Sequence, residues 1–529
     1  MKKTMLNSNT FAVAILILAG LYAPVIHATE PTAGYNYKIP DSIMTPNKVE
    51  TSIGTLDFYD GLPSKETSKK VFDYLDTARG MQVFLSAIPA ASLEAVHLGN
   101  REMGVKASNY VLIMDQLMDS TPLFLTGNTD TVYASGILDL KKDGPTVVEV
   151  PPGSGPGTVN DAFFRFVTDM GNVGPDRGKG GTYLILPPDY KGDLNPKEGG
   201  TEVEMKIGGV MKKVFVSKST SYINWLILRG FLVNGKPDAA SRMYRKGLKI
   251  YPLSKANRPP EMHFINGSGK FFNTIHANDY HFYPELDAVI QREPVEFIEP
   301  ELRGLMASIG IQKGKKFAPD ARIRKILTDA IAIGNATARS LFFDTRMADA
   351  YKWKGSHWKT GFVGGDYKWL IDSGNGGRYL DARTFFFYMA TVNTPAMAKK
   401  FVGKGSQYLF GDKDKNGNYL YGDKTYKLNI PADVPAKDFW SVVVYDPQTR
   451  SQLQTNQKFP SKNNKKAGLV ENADGSVDLY FGPKPPKGKE SNWIETVPGK
   501  GWFVLLRLYG PLDAWFDKKW QPGEFELIE

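Results

Sequence analysis

The feature that most constrains this chain is a run of strand patterns between residues 426 and 511. Tyr426–Ile430 alternates with period two, the mark of a half-buried strand. Residues 439–445 put Phe439, Val443 and Tyr445 on one face and Trp440, Val442 and Val444 on the other. A strand apolar on both faces needs cover on both sides. Asn472-Ala-Asp-Gly475 supplies turn chemistry, because Gly accepts positive φ at little cost. Residues 477–481 read as the returning strand, and 502–509 as the strongest strand, interrupted by one charge, Arg507. Short strands broken by Gly, Pro and Asp turns predict an antiparallel sandwich.

The rest of the chain adds a second such region and helices. Ser64 is placed to cap a helix that runs to about residue 88, where Pro89 interrupts it, with a second helix over 91–103. Strand patterns occupy 131–140, 146–150, 163–169 and 182–186. A hairpin over 203–216 turns at Gly208-Gly209, and a long apolar strand covers 222–233. Helical spacing returns at 237–249, 285–291, 300–308, 321–341 and 379–392. The fold class is therefore α+β: two antiparallel β-sandwich (jelly-roll-like) domains with a helical segment between them. The expected boundaries are 50–265, 266–400 and 401–529.

Two runs of residues also carry a resemblance. Phe439-Trp-Ser-Val-Val-Val-Tyr-Asp446, Asp474-Gly-Ser-Val477, Asn492-Trp493 and Leu506-Arg-Leu-Tyr-Gly-Pro511 resemble the bacterial family domain of unknown function 1214. Thr126-Gly-Asn-Thr-Asp-Thr-Val-Tyr-Ala134 and Phe164-Arg-Phe-Val-Thr-Asp-Met-Gly171 are similar to its usual N-terminal companion, domain of unknown function 1254. The resemblance implies an envelope or secreted protein with β-sandwich domains. It implies no established reaction and no catalytic residues.

Composition narrows the chemistry. With no cysteine in 529 residues, disulfides, thiolate nucleophiles and Cys-based metal sites are excluded. Lys2-Lys3, the apolar run 11–21 and Ile26-His-Ala28 read as a cleavable signal peptide over 1–28, giving a periplasmic or secreted protein with no retained membrane anchor. No later run is read as reaching the roughly 20 apolar residues of a membrane span. The net charge of +10 falls to +8 (10 − 2) once Lys2 and Lys3 are removed. The basic residues are scattered, and nucleic acid is not an expected partner.

Four groups of residues could carry function. Asp412-Lys-Asp-Lys-Asn-Gly417 followed by Asp423 matches the oxygen-ligand spacing of a calcium loop, with Asp412, Asp414, Asn416 and Asp423 as ligands; a polar turn is the alternative. Glu261, His263, His276, Asp279 and His281 cluster, either as hydrogen-bonded loop histidines, or with His276 and Asp279 as the candidate catalytic acid–base pair, or as a metal site whose spacing fits no zinc motif. Asn128, Asp130, Tyr133, Arg165 and Asp169 form a candidate ligand-binding set. Within it Arg165 is expected mid-strand, paired with Asp130 or Asp169 or orienting an anionic ligand. Trp440, Trp493, Trp502, Trp515 and Trp520 would be either core or a sugar platform, and Arg507 should seek Asp446 or Asp478. No phosphate loop, nucleophile elbow or dinucleotide fingerprint is present.

The functional expectation is an exported protein that binds, and in its enzymatic form hydrolyses, a small polar or carbohydrate-like compound in an inter-domain cleft. The alternative is a non-catalytic binding or interaction module of the cell envelope. A homo-oligomer is compatible with either.

Overall fold

The computed structural model describes residues 30–466 and 468–528. The expected signal peptide, 1–28, lies outside the described residues. The chain divides into two compact units, one up to Tyr74 and one from Leu75 onward. The first holds a small antiparallel sheet of Lys48–Thr51, Gly54–Tyr59 and Leu62–Pro63, and the start of a long helix. Ser64 Oγ accepts from Thr67 N at 3.1 Å, the expected cap.

That helix, Lys65–Glu102, is continuous, which corrects the expected break at Pro89. Proline removes one hydrogen bond and leaves the carbonyl four residues earlier without its donor. Here Thr384 Oγ1 approaches that carbonyl, Leu85 O, at 3.4 Å. The helix is long and apolar enough to cross a membrane by composition, contrary to the sequence reading. Its middle is nevertheless packed inside protein, with Val83, Phe84, Ala87, Ile88 and Val96 fully buried.

The second unit contains four larger sheets. A six-stranded sheet runs in the order His263–Asn266, Tyr110–Ile113, Thr131–Asp139, Ile223–Phe231, Gly157–Asp161, Phe166–Met170. A five-stranded sheet runs Thr201–Ile207, Val210–Lys218, Gly181–Leu186, Thr146–Val150, Lys249–Pro252. Val111, Val132, Val159 and Leu226 of the first share one core with Val148, Tyr183, Ile185 and Ile250 of the second. Gly208 and Gly209 turn the hairpin at φ +60° and +81°, a pair of values that glycine adopts without strain.

Toward the C-terminus, Lys359–Thr360, Ser406–Gly411, Phe503–Pro511, Ala436–Tyr445 and Ser461–Asn463 form one sheet in that order. Trp493–Glu495, Val477–Gly482, Tyr426–Ile430 and Glu526–Leu527 form another. Trp440, Val442 and Val444 join the core these two sheets share. Val443 and Tyr445 face the opposite way, into a core filled by helices. The two-sided burial expected of this strand is thus met by a sheet on one face and helices on the other.

The pairing is not wholly antiparallel, which corrects the sequence expectation. Gly181–Leu186 with Val210–Lys218, Tyr110–Ile113 with His263–Asn266, and Val477–Gly482 with Trp493–Glu495 are parallel pairs. In the first, Thr201–Ile207 is the outer arm of the hairpin, and its return strand enters beside Gly181–Leu186 in the same sense.

The helices Phe282–Arg292, Pro300–Ser308, Ala321–Phe343 and Leu380–Met389 contribute to the central core with the Lys65–Glu102 helix. Ala321–Phe343 buries Leu327, Ala330, Ile331, Gly334, Ala338 and Phe342 along one stripe. Leu380–Met389 is buried from Ala382 onward. The tip of the 157–170 hairpin, one turn of the long helix and the buried Leu380–Met389 helix meet around a cleft.

Candidate functional site

The cleft has a volume of about 230 Å³. Phe163, Phe297, Tyr367, Trp369 and Phe387 supply aromatic walls, and Pro89 adds part of the wall. Arg165, Arg378, Arg383 and Lys368 bring positive charge, against the carboxylates Glu198 and Glu299.

Arg165 does not lie mid-strand: it sits in the turn between Gly157–Asp161 and Phe166–Met170. Its partner is neither Asp130 nor Asp169 but Asp161, four residues earlier. Arg165 Nε donates to Asp161 Oδ2 at 2.6 Å. Asp161 Oδ1 accepts from Phe163 N and Arg165 N at 2.8 Å each, and Thr220 Oγ1 donates to Oδ2 at 2.6 Å. One buried carboxylate therefore shapes the turn and aims the guanidinium. The Arg165 guanidinium lies 4.8 Å from the Phe297 ring centroid, and its Nη2 is buried without a hydrogen-bond partner among the described residues.

Arg383 is 9 % exposed, and its Nε likewise has no partner there. Burial, and then the neighbouring Arg378, pushes its pKa down to about 10, so it stays charged at neutral pH. Arg378 Nη2 is 4.0 Å from Glu299, while Glu198 is held by Lys368 at 2.5 Å and Tyr367 OH at 2.9 Å. The cleft carries more cationic than anionic groups.

Two of its bulky lining residues adopt the left-handed region, Phe164 at φ +54° and Trp369 at φ +58°. Such conformations persist only where their surroundings impose them. Asn393 ties together the two segments that carry them. Its Nδ2 donates to Phe164 O at 3.2 Å and Tyr367 O at 2.7 Å. Asn393 is in turn fixed by Asn160, whose Nδ2 donates to Asn393 O at 2.7 Å and whose Oδ1 accepts Asn393 N at 3.1 Å. Sequence reasoning missed Asp161, Asn160, Asn393 and Arg383. The visible signals were an Asn-Asp pair just before three aromatic residues and an arginine inside an otherwise apolar helix.

Of the expected ligand-binding set, only Arg165 lines this cleft. Asn128, Asp130 and Tyr133 are brought together elsewhere, buried: Asn128 Nδ2 donates to Tyr133 OH at 2.6 Å, and Asn463 Nδ2 donates to Asp130 Oδ1 at 2.7 Å. Asp169 accepts from Thr394 Oγ1 at 2.7 Å, and burial raises its pKa to about 7.

The expected acid–base pair does not form. His276 is buried between Phe84 and Phe282, its Nδ1 lies 2.9 Å from Ala277 O, and burial followed by the Arg450 charge lowers its pKa to about 3. Asp279 lies on the surface against His281, 3.0 Å away, and caps its own turn by accepting from His281 N. His263 stacks on Tyr110, with ring centroids 4.4 Å apart, and Glu261 O accepts from Asn109.

Asp412 forms a buried ion pair with Lys359 at 2.7 Å. Asp414 accepts from Asn416 N and Asn418 N at 2.9 Å, a turn-stabilising pattern. Among the described residues no three His, Asp or Glu side chains gather to hold one ion. Asp412 also borders a larger, more open hollow of about 600 Å³ with Asp344, Arg339 and Lys500. Those charges are engaged: Asp344 with Lys413, Lys500 with Asp446, and Arg339 with Pro447 O. Among the described residues the smaller cleft, unlike this hollow, is lined by guanidinium groups with buried nitrogens that lack a hydrogen-bond partner.

Trp440, Trp502, Trp515 and Trp520 are core, with exposures of 8 % or less, and Trp493 Nε1 donates to Gly482 O. Arg507 bonds to Thr126 O rather than to Asp446 or Asp478, whose partners are Lys500 and Asn429.

The family comparisons agree with these two halves. Residues 108–252 match the family described as protein of unknown function DUF1254, and residues 405–513 match protein of unknown function DUF1214. The chain pairs a DUF1254 domain with a DUF1214 domain. No curated protein matches it. Among solved structures it is similar to the VPA0106 protein from Vibrio parahaemolyticus, at 17 % identity and TM-score 0.51, covering 86 % of this chain and 100 % of that one. A putative uncharacterized protein from Burkholderia cenocepacia matches at 11 % identity and TM-score 0.38 over 87 % and 96 % of the two chains. The Vibrio likeness shows a shared fold. In the DUF1254–DUF1214 pair, the cleft takes its Arg165 side from the first domain and its Arg383 side from the segment joining the two.

Proposed function

We propose that the cleft binds a small organic acid with an apolar, ring-like body, and that the protein does so as an exported member of the cell envelope. The observation that carries this reading is a pair of buried guanidinium nitrogens without a hydrogen-bond partner among the described residues, Arg165 Nη2 and Arg383 Nε, on residues that line an aromatic cleft. Arg165 is half-exposed and already paired with Asp161, so Arg383 is the buried cation of the two, and such a cation gains most from a ligand that supplies charge and hydrogen bonds. Phe163, Phe297 and Trp369 would cover the ring. A neutral sugar, the broader expectation from sequence, would leave the positive charge uncompensated. The Lys2-Lys3 start and apolar 11–21 run support export. We also read the two sheet pairs as jelly-roll-like sandwiches flanking a helical layer.

The test is calorimetric titration with benzoate, phenylacetate, cyclohexanecarboxylate and glucose. The carboxylates bind and glucose does not. Arg383→Met weakens the carboxylates at least tenfold, equivalent to about 1.4 kcal/mol. Glucose binding as tightly as benzoate, or an unchanged Arg383→Met, would overturn the reading. Silence from every compound would favour the non-catalytic interaction module.

A further inference from the structure

A second, separate chamber lies between the DUF1254 and DUF1214 domains. Its volume is about 30 Å³, enough for a water-sized or slightly larger guest and far too small for a ring. Arg229, from Ile223–Phe231, and Arg507, from Phe503–Pro511, both line it, with Tyr133, Tyr408 and hydrophobic side chains. No carboxylate is among its lining residues.

Arg507 is 3 % exposed. Its Nη2 donates to Thr126 O at 2.6 Å, and its Nη1 has no hydrogen-bond partner among the described residues. Arg229 Nη1 reaches Tyr408 OH at 3.3 Å, a long neutral contact for a cation. The buried hydroxyl of Tyr509, electrostatically coupled to both arginines, also lacks a partner. The carboxylates in this neighbourhood are Asp130, whose Oδ1 accepts from Asn463 and Thr129 while its Oδ2 has no hydrogen-bond partner among the described residues, and Asp169, which lines an adjoining void with Arg229 and is held by Thr394. The buried Arg507 and the half-buried Arg229 thus share a void whose own lining holds no carboxylate. Buried charges without compensation are strongly disfavoured.

We propose that this chamber binds one small monovalent anion of halide size between Arg229 and Arg507. Size excludes the organic acids assigned to the cleft, and the charge favours an anion over water. Because one arginine comes from each domain, the anion neutralises the seam between them.

The probe is bromide. Wild-type protein is exchanged into sodium gluconate, whose anion is too large to enter. Its Tm is then followed as bromide replaces gluconate at constant ionic strength, and crystals in sodium bromide are examined for anomalous scattering. The expected result is a saturable rise in Tm together with an anomalous peak within hydrogen-bond distance of both guanidinium groups. Arg229→Gln removes the saturable rise, whereas Arg383→Met in the cleft leaves it intact. A chamber without anomalous density overturns the proposal whatever the Tm does. A peak without a saturable rise also overturns it, as binding at crystal concentration only. Should Arg229→Gln fail to fold, the two wild-type measurements decide the matter.

Discussion

Asn393→Asp tests whether the clamp behind the cleft works as described. The two side chains have nearly the same shape, so packing is preserved. What changes is that Nδ2, which donates to Phe164 O and Tyr367 O, becomes an oxygen that can only accept. Asn393 is 4 % exposed, so both carbonyls lose a donor in a protected place and a carboxylate is buried beside them. An orphaned buried acceptor costs about 1–3 kcal/mol. With Tyr367 only partly buried, the loss should be about 2–4 kcal/mol at pH 7, at least as large as for Asn393→Ala. The new carboxyl sits among acceptors, so its folded pKa lies above the unfolded value of about 3.9. The penalty therefore grows as pH rises above that unfolded value and is relieved below it, where the protonated acid regains one donor. Equilibrium urea unfolding followed by tryptophan fluorescence measures it. If Asn393→Asp at pH 7 came within about 0.5 kcal/mol of wild type, the size usual for an inconsequential surface change, the clamp argument would be wrong.

Two further outcomes follow from buried charges. Burial raises the Asp169 carboxyl to about 7, opposed by the Thr394 hydroxyl, so its stabilising contribution is full below about pH 4 and lost as pH rises through 7. Asp169→Asn should flatten the fall in Tm between pH 5 and 8.5, and Glu285→Gln should remove a further part, because Glu285 is also raised to about 7 by burial. Lys359→Met strands the buried Asp412 and should cost about 3–5 kcal/mol in urea unfolding, while Lys359→Met with Asp412→Leu should recover most of it. Equal losses in the single and double variants would show that the pair's charges do not matter.

The sequence was most readable where one periodicity dominated. Tyr426–Ile430 and Pro300–Ser308 have the bounds that pattern and start signals gave. The two faces of Ala436–Tyr445 sort as alternation required. Gly157–Asp161 escaped because Gly-Thr-Val-Asn-Asp has no apolar face, although every residue in it is buried. Its polar groups are satisfied by partners distant in sequence, as Asn160 is by Asn393, and no local pattern records that. Arg165 was recognised as a charge needing a partner. The partner was sought across the sheet, whereas a tight turn brought Asp161 to it from four residues away. Pro89 was read by its local rule, and the Thr384 hydroxyl near the freed carbonyl lay 299 positions downstream.

The Asn160–Asn393 clasp joins residues 233 positions apart, and the bonds from Tyr445 to Gly127 and from Arg507 to Thr126 span 318 and 381. During synthesis the aromatic turn at 163–166 leaves the ribosome long before the residues that hold it in shape. The cleft therefore cannot mature on a nascent or truncated chain. A DUF1254 segment made alone would keep its arginine and lose the cleft geometry around it. For the same reason the two domains are poor candidates for independent shuffling between genes, because buried hydrogen bonds and one shared core cross between them.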